Sequence, residues 1–230
     1  YTGFLEELDP HSVYITKKKL KDINEEFSGN FQGIGIEFDI IDGYITVISP
    51  IVGTPSERVG LQSGDKFIRI NGESAYKITR DETFEKLRGP KGSKVTITIK
   101  RPGEKEPFDV EIIRDDIPIY SVLAHFIYEQ DIGYILVNRF AAKTADEFYD
   151  ALTDLEHQGM KGLVIDLRYN SGGYMNQAID MIDHFLAEKE KIVYTKGRLT
   201  NANEEFFASG EGQFTDLPVL VLINRGSASA

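Results

Sequence analysis

A change of rhythm near Asp116-Ile117-Pro118 constrains this chain more than any other feature. Before it, short β-branched and aromatic runs alternate with turns rich in Gly, Asn and Pro. After it, apolar runs alternate with helical stretches. The first texture predicts a compact β-rich unit, and the second predicts an α/β layer built on a mostly parallel sheet. The expected organisation is a helical segment over 1–29, a β-rich unit over 30–115 and an α/β unit over 116–230.

Local signals place the elements. The charged stretch Lys17 to Phe27 reads as a helix, and Asp42-Gly43 between two apolar runs predicts a hairpin, because both turn residues must tolerate positive φ. Thr54-Pro55 opens a short helix that ends near Gly60. Strand, turn and helix follow over Phe67 to Ile70, Asn71-Gly72 and Thr79 to Leu87, and strands over Val95 to Lys100 and Phe108 to Arg114 close the unit. In the second half Gly133 to Phe140 and Gly162 to Leu167 read as strands. Thr144-Ala145-Asp146-Glu147 reads as a capping box at a helix start. Met175, Ala178, Ile179, Ile182, Phe185 and Leu186 lay one apolar stripe along a second helix. Ile192 to Tyr194 and Leu217 to Ile223 add strands, for a sheet of at least four.

Composition narrows the function. The 26 Lys and Arg stand against 37 Asp and Glu, a formal charge of −11, and the only basic cluster is Lys17, Lys18, Lys19 and Lys21. An acidic surface repels phosphate, so neither nucleic acid nor anionic lipid is expected as partner. There is no cysteine, which excludes disulfides, thiolate metal sites and a thiol nucleophile. The four histidines, His11, His125, His157 and His184, show no metal-ligand spacing, so no metal or cofactor is expected. These residues contain neither an apolar run long enough to span a bilayer nor the apolar core of a signal peptide. The first residue is not Met and the last five, Gly226-Ser227-Ala228-Ser229-Ala230, come only two residues after an apolar run that reads as a strand, so the expectation is a piece trimmed at both ends.

Two loops in the second half could carry chemistry, because sites in α/β sheets lie at strand C-terminal ends. In Asp166-Leu167-Arg168-Tyr169-Asn170-Ser171-Gly172-Gly173, paired glycines before a helix suit a phosphate or a developing oxyanion. They suit a tight strand-to-helix turn equally. Asn224-Arg225-Gly226-Ser227-Ala228-Ser229-Ala230 reads as a nucleophile turn or as a small-residue helix start, and it lacks Gly-x-Ser-x-Gly. No phosphate loop is present, and Gly33-Ile34-Gly35 lacks the third glycine of a dinucleotide fingerprint.

Taken in order, Leu8-Asp9-Pro10-His11-Ser12-Val13-Tyr14, Phe31-Gln32-Gly33-Ile34-Gly35-Ile36, Gly53-Thr54-Pro55 with Arg58-Val59-Gly60-Leu61, Gly64-Asp65, Leu87-Arg88-Gly89-Pro90-Lys91-Gly92, Asp166-Leu167-Arg168 with Gly172-Gly173, and the final Gly-Ser-Ala-Ser-Ala resemble the carboxy-terminal processing proteases. In this tail-specific serine protease family a PDZ domain precedes the catalytic core, and the resemblance covers nearly the whole chain. It implies a two-domain fold, a β-rich PDZ unit before a crotonase/ClpP-like α/β serine protease core that is truncated at its C-terminal end.

The resemblance also implies roles. The nucleophile would be Ser229, and the oxyanion hole would form from the Ala230 N–H and an N–H of Gly172 or Gly173. The base would be a lysine beyond Ala230, oriented by a glutamine, so the 230 residues alone are expected to be inactive. Were they active, His11 and His125 would be the first alternative bases. The family carries Asn-Pro-Gly-Gly where this chain has Asn170-Ser171-Gly172-Gly173, a loop without the rigid proline. Gly33, Ile34, Gly35 and Ile36 would hold a substrate C-terminus, with Ile34, Ile36 and the helix Thr79 to Leu87 lining an apolar pocket and Arg88 acting as a sensor. The implied activity is ATP-independent cleavage of protein C-terminal tails by a Ser–Lys dyad in an exported bacterial enzyme, with a homodimer partner and a regulatory adaptor as further family associations. The alternative is a peptide-binding scaffold without catalysis.

Overall fold

The computed structural model describes residues 5, 7, 8, 12–199 and 202–229. Helix α1 (Lys17–Ser28) starts where the Thr16 hydroxyl accepts a hydrogen bond from Lys19 N, and stops at Gly29, whose φ of 70° no continuing helix could use. There follow β1 (Asn30–Gly33), β2 (Ile36–Ile41) and β3 (Tyr44–Pro50), then α2 (Pro55–Arg58), β4 (Lys66–Ile70), β5 (Glu73–Ser74) and α3 (Arg80–Leu87). Strands β6 (Lys94–Lys100), β7 (Phe108–Ile113) and β8 (Asp115–Pro118) complete residues 30–118, which form one compact unit. The strand order is β2-β3-β4-β6-β7, with β5 on β4. Asp42 and Gly43 adopt φ of 55° and 81°, the two positive angles a type I′ hairpin needs. Inward residues of alternating strands, among them Ile45, Phe67, Ile97, Ile99 and Ile112, make the core.

The first unit is closed by β1 running antiparallel to β8, with Phe31 opposite Ile117. Asp116-Ile117-Pro118, expected to open the second half, is therefore the last strand of the first. Ile117 is fully buried, and a strand partner 86 residues back in sequence leaves no local trace. Nor does the segment before residue 30 stand apart, for α1 clusters with residues 119–230. Phe27 O and Gly29 O accept from Ala142 N and Ile119 N, and the Phe27 and Tyr174 rings lie 5.1 Å apart.

In the second unit β9 (Val122–Tyr128), a 3-10 turn (Glu129–Asp131), β10 (Ile132–Val137), α4 (Thr144–His157), β11 (Gly162–Asp166), α5 (Met175–Asp183), β12 (Lys191–Thr195), β13 (Glu204–Phe207) and β14 (Val219–Leu222) follow. The sheet order is β14-β11-β10-β9; β10, β11 and β14 are parallel and β9 is antiparallel to β10. Strand β9 was not expected, since Val-Leu-Ala-His-Phe-Ile-Tyr lacks clean alternation. The strand expected at Ile192 to Tyr194 pairs with β13 in a separate hairpin rather than joining the main sheet. Phe148, Leu152 and Leu155 of α4 are fully buried against Ile135 and Leu163, each worth roughly 2–3 kcal/mol in removed apolar surface.

The expected capping box does not form. Thr144 is the first residue of α4, and its hydroxyl accepts from Ala141 N and donates to Ser121 Oγ. The Glu147 carboxylate accepts from the N–H groups of Ser121 and Val122, so both side chains tie the helix to the start of β9. Among the described residues no helix is long and apolar enough to cross a membrane.

Candidate active site and peptide groove

The parallel strands β10, β11 and β14 end on one side of the sheet, and both suspected loops leave from there. Asp166 closes β11 as a buried carboxylate held by Arg168 Nε and Nη2, Arg168 N and the Tyr134 hydroxyl. The Arg168 hydrogen bonds hold its pKa down at about 2, against the opposing pull of burial. The turn after it is thereby anchored at its root.

The next residues interlock with the loop after β14. Tyr169, at φ 64°, donates its N–H to Asn224 Oδ1, which also accepts from Gly226 N. Ala228 N donates to Asn170 O. Asn170 is buried; its Nδ2 donates to Val137 O at 3.1 Å and its Oδ1 accepts from Gly172 N at 2.8 Å. The Gly172 N–H is thus occupied, whereas among the described residues no acceptor engages the half-buried Gly173 N–H. Gly173 lies against Phe140, whose N donates to Gly172 O and whose O accepts from Tyr174 N. A Cβ at Gly173 would run into the Phe140 backbone, so this position requires glycine.

The two serines of the final run differ. Ser227 Oγ donates to Leu167 O at 2.7 Å and accepts from Asn224 N at 3.0 Å, so it binds the two loops together. Ser229 is exposed and has φ 61°, an unusual angle for a residue with a Cβ. Ala230 lies outside the described residues, as does His11. His125 lies on β9, at the sheet edge opposite β14, and pairs with Asp154 at 3.0 Å, so it is not brought to Ser229. Beside the Gly172 turn a cleft of about 300 Å³ opens, lined by Phe27, Arg139, Tyr169 and Gly172 among others. Among the described residues no cluster of His, Asp and Glu could hold a metal ion.

In the first unit β2 is one of two edge strands, and among the described residues no strand pairs with its outer side. The loop before it, Gly33-Ile34-Gly35, is held from beneath. Ile34 O accepts from Ser56 N and Ser56 Oγ, and Gly35 O accepts from Ile51 N and Thr54 Oγ. Thr54, expected as a helix cap, makes no cap bond and serves this loop instead. The Ile34 and Gly35 N–H groups have no acceptor among the described residues. The Ile34 side chain is buried in the core and cannot line an open pocket; Ile36 is partly buried. Phe38 and Phe84, which sequence reasoning missed, meet edge-on at 5.4 Å between β2 and α3. Arg88 lies over Phe31 and Phe84, at 4.6 and 5.1 Å. Arg114 inserts under the end of α3 and donates to Leu87 O and Lys86 O, its Nε close against Gly89.

Comparison with known proteins agrees with both halves. Residues 131–230 match Peptidase family S41, and residues 46–101 match the PDZ domain. The chain is 40% identical over 233 residues to a carboxy-terminal-processing protease of Bartonella bacilliformis, covering 99% of this chain and 53% of that protein. It is 36% identical over 224 residues to carboxy-terminal processing protease CtpB of Bacillus subtilis, covering 96% of this chain and 46% of the relative. Among solved structures, the PDZ domain of a carboxy-terminal protease from Vibrio cholerae, crystallised in complex with peptide, is 29% identical with a TM-score of 0.36, covering 38% of this chain and 97% of that one. The architecture is a PDZ domain together with an α/β peptidase domain. Residues 131–230 match peptidase family S41, and over nearly its whole length the chain is similar to carboxy-terminal processing proteases; it spans about half the length of the curated relatives it matches.

Proposed function

We propose that this chain is the tail-binding and nucleophile-bearing part of an ATP-independent serine endopeptidase that cleaves protein C-terminal tails. The observation that carries the proposal is the interlocked pair of loops, which leaves Ser229 exposed while the hydroxyl of Ser227 is occupied. Ser229 is the nucleophile, and the Gly173 N–H, rather than the occupied Gly172 N–H, joins the Ala230 N–H as oxyanion donor. The base is a lysine outside these residues, as the family resemblance implies. Burial would lower such a lysine's pKa and let it take the serine proton.

The PDZ domain would deliver the substrate. A terminal carboxylate would accept from the Ile34 and Gly35 N–H groups, the tail would add a strand to β2, and its last side chain would meet Ile36, Phe38 and Phe84. Arg88, stacked on Phe31 and Phe84, would sense the occupied groove. Export from the bacterial cytoplasm, a homodimer and a regulatory adaptor belong to the same reading.

The test is Ser229→Ala in the full-length protein, assayed without ATP on a folded substrate with an unstructured tail. Turnover should vanish while tail binding persists. Undiminished cleavage would overturn the nucleophile assignment, and tail binding without cleavage by the wild-type protein would favour a non-catalytic scaffold.

A further inference from the structure

We propose that the cleft between Arg139 and Tyr169, beside the Gly172-Gly173 turn, is a subsite for a carboxylate of the peptide substrate close to its scissile bond. This inference rests on the endopeptidase reading above and adds a specificity to it.

Arg139 follows β10 and sits at the cleft with its side chain only 29% exposed. Its Nε donates to Asn138 Oδ1 at 3.3 Å, which orients the guanidinium plane. Glu26, which also lines the cleft and is 65% exposed, approaches Arg139 Nη1 at 4.0 Å, too far for a hydrogen bond, so an incoming carboxylate would have to displace it. Among the described residues no other group engages those nitrogens, so a residue lining the cleft keeps donors that a two-oxygen acceptor could take. A carboxylate is the group that matches this fork in charge and in shape.

Tyr169 also lines the cleft, 77% exposed although it is aromatic. Its backbone is left-handed and its N–H donates to Asn224 Oδ1, so it belongs to the same anchored loop that carries Gly172 and Gly173. Phe27 contributes an apolar side, and the volume of about 300 Å³ suits one side chain or a chain terminus rather than a long peptide. Phe140 and Gly172, both lining the cleft, are hydrogen-bonded to each other and Phe140 O accepts from Tyr174 N, so the cleft adjoins the turn that carries the Gly173 N–H. The formal charge of −11 means that the overall field would not draw an acidic peptide in. Arg139 therefore acts by recognition at the site and not by long-range steering.

The experiment measures kcat/KM of the full-length enzyme on matched peptides carrying Glu, Gln or Lys at each position flanking the cleavage point, with free or amidated C-termini. A charged hydrogen-bonded pair predicts a preference of about tenfold or more for Glu over Gln at one flanking position, or for the free over the amidated terminus. The first result identifies a side-chain carboxylate and the second a terminal one. The preference should collapse towards unity in Arg139→Gln, and Arg139→Glu should favour Lys over Gln. Equal rates for Glu and Gln peptides with either terminus in the wild type would overturn the subsite, with no variant needed. An unchanged preference in folded Arg139→Gln would overturn it too. If the wild type cleaves none of the peptides, the endopeptidase reading fails and the subsite fails with it; if it cleaves them all without preference, only the subsite fails.

Discussion

Asn170→Ala perturbs the loop pair at its centre. The side chain is 2% exposed and makes two hydrogen bonds, to Val137 O and from Gly172 N, inside a site where both partners are buried. Truncation leaves one carbonyl and one N–H without a partner, and each such group costs about 1–3 kcal/mol. The sum, roughly 2–6 kcal/mol, falls on the unit that contains residues 119–229, since the first unit shares none of these bonds. Released from Asn170, the turn no longer fixes the direction of the Gly173 N–H, so turnover of the full-length enzyme should fall about 10²–10³-fold, the usual cost of losing one oxyanion donor. Asn170→Asp should be no milder, because a carboxylate oxygen would face Val137 O. The assay is urea unfolding followed by circular dichroism, the chain having no Trp, with amide exchange at Gly172 as a local probe. A shift below about 0.5 kcal/mol, the range of a neutral surface change, together with unchanged protection at Gly172, would refute the assignment.

The two serines should part company: Ser227→Ala loses the bridge between Leu167 O and Asn224 N and should destabilise by about 1–2 kcal/mol in thermal unfolding, while Ser229→Ala should not. Asp166 has its pKa lowered from 3.8 to about 2 by Arg168 and Tyr134, so the unfolded chain takes up the proton first as pH falls. Its contribution of about 2 kcal/mol is complete above roughly pH 4 and is lost as pH falls through about 2, so the stability difference between wild type and Asp166→Asn should close over that window. In the PDZ domain Asp65 is fully buried and held by Arg101 Nε and Nη2, both at 2.8 Å. Arg101→Met strands that carboxylate and should cost about 3–5 kcal/mol, read as an earlier urea transition of residues 30–118; Arg101→Lys should recover only part, lacking the paired donors.

What could be read from the residues alone was whatever a few neighbouring positions decide. Asp42-Gly43 specifies its hairpin because both backbones tolerate positive φ, and Lys17 to Phe27 and Gly162 to Leu167 reveal their elements by pattern within one run. The glycine pair at Gly172-Gly173 was visible for the same reason, and so was the likeness to the tail-specific proteases, which is a matter of short motifs in order. Nothing local told which member of each pair would keep an unoccupied hydrogen-bonding group.

That choice is made by partners distant in sequence. Val137 O, 33 residues away, holds the Asn170 amide whose oxygen occupies the Gly172 N–H, Leu167 O takes the Ser227 hydroxyl from 60 residues away, and Ile34 turns into the core while Phe38, from the core, meets the exposed Phe84 edge-on. Thr144 and Thr54 have the sequence context of helix caps yet bond elsewhere, because Ser121 and the Gly35 carbonyl reach them in the folded chain. Strands β1 and β8 likewise move the boundary expected at residue 115 to 118. Backbone angles and periodicity are properties of a segment and were open to reading, but each hydrogen-bonding group serves only the partner that folding sets against it. The sequence therefore determined which loops could carry chemistry, and the tertiary structure decided which atoms in them remain available for it.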